Sequence, residues 1–138
     1  MPKLRPSSAS KPVDEKVTIN LGVMDLGQID LLVQEGFYSN RTDLIRTAIR
    51  NQLAAHAQVV EQVATRKTLV LGIQHFAAVE LRALKASGKK IEIRVLGLAT
   101  IAPDVTPALA LATIESITVL GALHASAAVK AALADRIR

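Results

Sequence analysis

From Lys16 the chain alternates. Val17, Ile19 and Leu21 fall on one parity and Lys16, Thr18 and Asn20 on the other, the period-two pattern of a strand with one apolar and one wet face. Leu26, Ile29, Leu32 and Val33 then recur at three- and four-residue spacings, which predicts a helix with one apolar stripe that stops at Gly36, a glycine suited to a left-handed cap. A second helix opens at Asn40. Its side chain can accept from the Asp43 N–H while Asp43 reaches back, a capping box in Asn and Asp; Ser39 is the rival cap one residue earlier. Leu44, Ile45, Ala48, Ile49 and Leu53 form the apolar stripe of that helix, with Arg46 and Arg50 on the opposite face. The helical pattern continues through AAHAQVVEQVATRK, either unbroken to about Thr65 or interrupted near His56.

The second half changes period. VLG occurs at Val70–Gly72, Val95–Gly97 and Val119–Gly121, 25 and 24 residues apart. IRVLGLATIAPDVTPAL and ITVLGALHASAAVKAAL align without a gap, and TLVLGIQHFAAVELRAL is a looser third copy. Each unit reads as a strand ending at Gly, a short apolar extension, a turn and a short helix. Units of this size cannot bury their own faces, so the reading is a short parallel β/α solenoid of three stacked coils. A compact βαβ-type ligand domain is the rival architecture.

A short strand followed at once by two helices has no local partner for its backbone groups. Two copies resolve this: antiparallel pairing about a two-fold axis satisfies both strands and merges two apolar faces over four helices. Here the residues resemble the ribbon-helix-helix family, of the CopG, MetJ and Arc type. The likeness rests on the strand, on GFYSNRTDLI and on IRTAIR, and runs from Lys16 to Leu53 without a gap. It implies a homodimeric regulator of double-stranded DNA, a repressor by the family's commoner habit, with the paired strands in the major groove. Carried over residue by residue, it makes Lys16, Thr18 and Asn20 the base-contacting set and Ser39, Asn40 and Arg41 the phosphate-contacting set. Val17, Ile19, Leu21, Ile45 and Ile49 become the dimer core. Elementary chemistry agrees: Lys donates to guanine, Asn pairs with adenine, Thr meets a thymine methyl, and a helix N-terminus suits an anion. Gly22 after the strand and Gly27 inside the first helix depart from the commonest form of the family.

Composition narrows the function. Half of the 138 residues are apolar, enough for a sizeable core in an α+β chain, and only 2% are aromatic, which argues against reading single strands by stacking. Without cysteine, thiolate metal sites and disulfides are excluded, and a reducing cytoplasm is the expected compartment, with the protein nucleoid-associated when bound to DNA. The net charge of +5 suits nucleic acid, but Met1–Arg66 holds eight basic and seven acidic residues, whereas the rest holds nine and five. Local placement of Lys16, Arg41, Arg46 and Arg50 must therefore carry the binding. His56, His75 and His124 are widely spaced and read as surface or packed residues, so neither metal nor cofactor is expected. No phosphate loop, nucleophile elbow or paired carboxylates suggest an enzyme, and the longest uncharged run of the second half, Ser116–Val129, falls short of the roughly 20 residues of a membrane span.

The domain reading is a flexible basic arm over 1–14, a ribbon-helix-helix module over 15–55, a helical connector over 56–67 and a β/α repeat domain over 68–138. The last of these is expected to join dimers into a higher oligomer or to hold a protein partner or effector. The competing class is an antitoxin or a DNA-associated scaffold whose second half does the binding.

Overall fold

The computed structural model describes residues 14–138; the arm expected over 1–14 lies, but for Asp14, outside the described residues. The chain divides into two compact units, Lys16–Val63 and one built on Ala64–Arg138.

In the first unit Lys16–Gly22 runs as chain without strand pairing, followed by α1 (Val23–Gln34), α2 (Arg41–Ala55) and the greater part of α3 (Ala57–Arg66). α1 closes with a paired cap: the Phe37 N–H donates to the Leu32 carbonyl at 3.0 Å and the Gly36 N–H to that of Val33 at 3.1 Å. Gly36 holds φ +85, a conformation glycine adopts without strain. Asn40 caps α2, its Oδ1 accepting from the Asp43 N–H at 2.8 Å. The Asp43 carboxylate reaches back one residue further than the capping box predicts, accepting from the Ser39 N–H at 2.9 Å. The helical run breaks at His56, the second of the two expected alternatives.

Three strands organise the second unit: β1 (Val70–Phe76), β2 (Ile91–Ile101) and β3 (Ile114–His124), all parallel, in the order β1-β2-β3. The repeat sets their register. Val70 pairs with Val95 and Val95 with Val119, and Gly72, Gly97 and Gly121 form one row. The expectation that each strand ends at its glycine is corrected: β1, β2 and β3 continue beyond it to Phe76, Ile101 and His124. The three glycines sit mid-strand at φ +127, +138 and +124, where L-residues are strained. At Gly97 and Gly121 contact forbids a side chain as well. A Cβ on Gly97 would lie 2.3 Å from the Gly72 carbonyl oxygen, and one on Gly121 would lie 2.0 Å from that of Gly97.

Between the strands run α4 (Ala78–Ala86) and α5 (Pro107–Thr113), with α6 (Ala127–Ala132) after β3; α5 packs on both α4 and α6. One side of the sheet and these helices share the core: Ala78 and Leu81 from α4, Ile93, Val95, Ala99 and Ile101 from β2, Leu109 and Ala110 from α5, and Ile117, Val129 and Leu133. The gapless alignment of the last two units keeps the buried positions, since Val105 matches Val129 and Leu109 matches Leu133, and all four are buried. The helices themselves are displaced within the unit. Thr106 caps α5 by accepting from the Leu109 N–H, whereas Ser126 caps α6 only five residues after its glycine by accepting from that of Val129. At the matching place in the looser first unit stands Ala77, which offers no side-chain cap.

Candidate nucleic-acid interface

In Lys16–Leu21 every side chain is exposed, polar and apolar parities alike. Val17 is 81% exposed, Ile19 60% and Leu21 40%. Neither α1 nor α2 has a buried residue: Leu26, Ile29, Val33, Leu44 and Ile45 are half-buried, and Ile49 and Leu53 stay exposed. A 48-residue unit with so much apolar surface and no buried helical side chain has no core of its own until further apolar surface meets it.

At the start of α2 an open cleft is lined by Ser39, Asn40, Thr42, Asp43, Arg46 and Arg50. It brings together two of the three expected phosphate residues, Ser39 and Asn40. Thr42, Arg46 and Arg50 complete it; the signal for the two arginines was their spacing, one and two helical turns beyond the first turn of α2. The leading N–H groups of a helix have no acceptor within it, so those of Arg41 and Thr42 suit an anion there.

Arg41 has a different engagement. Its Nε donates to Asp30 Oδ1 at 2.7 Å and its Nη2 to Asp30 Oδ2 at 2.8 Å, a two-pronged ion pair that ties α2 to α1. Its guanidinium therefore reaches a phosphate only by sharing or releasing Asp30. The Arg41 hydrogen bond, opposed by desolvation and aided by the Arg41 charge, holds the Asp30 carboxyl below its ordinary value; the same pairing raises Arg41. A depressed carboxylate favours the folded pairing above the unfolded value of about 3.9, and that contribution is lost as pH falls through the depressed value. In an NMR titration of the Asp30 side-chain carbon, Arg41→Gln is expected to move the midpoint upward. An unchanged midpoint would mean that the pair does not persist in solution.

Part of the positive surplus of the second half is structural. Arg94 donates through Nε and Nη2 to the Lys67 carbonyl at 3.0 and 2.7 Å, and Arg136 Nη1 donates to the carbonyls of Leu111 and Ile114 at 2.7 and 2.8 Å. Among the described residues no group of three or more His, Asp or Glu side chains converges as a metal site. The histidines stand apart: Nδ1 of His75 lies 2.6 Å from Thr100 Oγ1, and Nε2 of His124 lies 2.7 Å from Glu15 Oε1. No helix among the described residues is long and apolar enough to cross a membrane.

No curated protein and no solved structure matches the chain. Residues 12–130, spanning both units, match the Ribbon-Helix-Helix transcriptional regulator family, a family of DNA-binding regulators rather than enzymes. The chain, with its alternating segment, its glycine-capped first helix and its Asn-capped second, belongs to the Ribbon-Helix-Helix transcriptional regulator family.

Proposed function

We propose that the protein is a sequence-specific repressor, acting in the cytoplasm as a homodimer in which residues 16–21 of two copies pair antiparallel and enter the major groove as a two-stranded ribbon. The observation that carries this reading is the exposure of Val17, Ile19 and Leu21 beside two helices that bury nothing. Pairing turns that parity, with Ile45 and Ile49, into a shared core. Lys16, Thr18 and Asn20 then project to the other side, toward base edges.

Phosphates are held by the α2 N-terminus: Ser39, Asn40, the N–H groups of Arg41 and Thr42, and Arg46 and Arg50 from the same cleft. The Arg41 side chain serves chiefly to fix α2 against α1 and so to aim that N-terminus. The second unit, with three in-register parallel strands joined through helices, is a short β/α solenoid.

The division between reading and positioning is testable by titrating operator and unrelated duplexes over a range of salt. Thr18→Ala or Asn20→Ala is expected to cost about 1–3 kcal/mol against the best operator and little against unrelated DNA. Arg46→Ala should weaken all duplexes alike and lower the salt slope by about one. Equal losses on both kinds of DNA from all three variants would refute the division.

A further inference from the structure

The two edges of the sheet in the second unit differ. On the β3 side the chain's own end folds back onto one residue of the strand: the Ile117 N–H donates to the Arg136 carbonyl at 2.9 Å, the Arg138 N–H to the Ile117 carbonyl at 2.8 Å, and Ile117 bridges to Ile137 in parallel. On the other side β1 pairs with β2 alone among the described strands. Leu69–Val79 carries no Asp, Glu, Lys or Arg, and no Pro, as is also true of Ser116–His124 on β3. Edge strands are ordinarily blunted by such residues, because a bare row of N–H and C=O groups templates another strand. The apolar exposure of the unit gathers here: Leu71 is 75% exposed, Ile73 66% and Val79 65%, against 53% for Leu120 on β3.

We propose that β1 is an interface with a second copy of this chain, the two β1 strands pairing antiparallel about a two-fold axis through Ile73. The resulting sheet has six strands in the order β3-β2-β1-β1-β2-β3. An uncharged strand with alternating apolar residues needs a partner of the same kind, and a second β1 supplies one in full register. Val70–Phe76 has seven residues centred on Ile73, so placing Ile73 on the axis pairs the whole strand, Val70 with Phe76 and Leu71 with His75. Each pair joins residues of the same face, which keeps both helix layers on one side of the sheet. The interface is separate from the ribbon and stands whether or not residues 16–21 read DNA.

The chain has no cysteine, so single cysteines report on it cleanly in the full-length protein. Directly opposed antiparallel residues have Cα atoms about 4.5–5.5 Å apart, within disulfide reach. Under mild oxidation Ile73→Cys is expected to form covalent dimers in roughly tenfold higher yield than Ala131→Cys on exposed α6, because an interface raises the effective thiol concentration. Leu71→Cys alone and His75→Cys alone should stay at the Ala131→Cys level, since each thiol is then about 13 Å along the strand from its own copy. Chains carrying one substitution each, coexpressed, should cross-link to each other. An Ile73→Cys yield no higher than that of Ala131→Cys overturns the proposal, as does failure of the coexpressed pair. All of this is read without DNA. A failure here leaves the Thr18 and Asn20 titrations untouched, and a failure of those leaves the cross-link standing.

Discussion

Gly121→Ala is expected to destabilise the second unit by more than about 4 kcal/mol, the range reserved for backbone clashes and lost cores. Two costs combine. The φ of +124 is strained for any L-residue, and the new Cβ would stand 2.0 Å from the Gly97 carbonyl oxygen, a backbone atom that no rotamer change can move aside. Gly97→Ala should behave similarly, against the Gly72 oxygen at 2.3 Å. Gly72→Ala separates the terms: it has φ +127 but nothing within 4 Å of its Cβ, so only strain of about 1–3 kcal/mol is expected. Urea unfolding followed by circular dichroism orders the three variants. If Gly121→Ala costs no more than Gly72→Ala, the close approach of successive strands is not what holds the repeat to glycine.

Ile19→Asp should abolish the ribbon dimer, raising its dissociation constant at least about a hundredfold, because each copy would bury an unpaired charge in the shared core. Asn20→Asp is the parity control. One residue away and on the opposite face, it should leave dimerisation intact while repelling phosphate and losing DNA. Sedimentation of both variants in an Ile73→Lys background, where the β1 contact is removed, isolates the ribbon. Wild-type self-association of Ile19→Asp in that background would place the apolar parity outside any interface.

Local chemistry made much of this legible. Asn40 and Asp43 are three residues apart and announce the start of α2, and Gly36 announces the end of α1, because caps are satisfied within one turn. The VLG spacing gave the strand register, since a stacked repeat must place like on like. Its glycines read locally as strand ends because glycine usually punctuates, whereas here it admits the carbonyl of the neighbouring strand, a contact between residues about 25 apart. The Asp30–Arg41 pair was beyond reach, because it depends on how two helices cross rather than on a spacing within either. Of the candidate DNA residues, Ser39, Asn40 and Arg41 follow from the resemblance, and the fold sets Ser39 and Asn40 in one cleft at the start of α2. Arg46 and Arg50 were seen as a helical face, but their place beside the α2 N-terminus emerged only from the fold. The bare β1 edge was hidden too, since nothing local tells which outer strand the chain's own end will cover.

Unbiased selection of bound sequences from random duplex DNA at near-physiological salt, with wild type and a Lys16/Thr18/Asn20 triple alanine in parallel, asks whether the ribbon reads sequence. A ribbon reader should yield a short inverted motif with wild type and none with the triple variant. Enrichment of the same motif by both proteins, or binding by both without any motif, would contradict it.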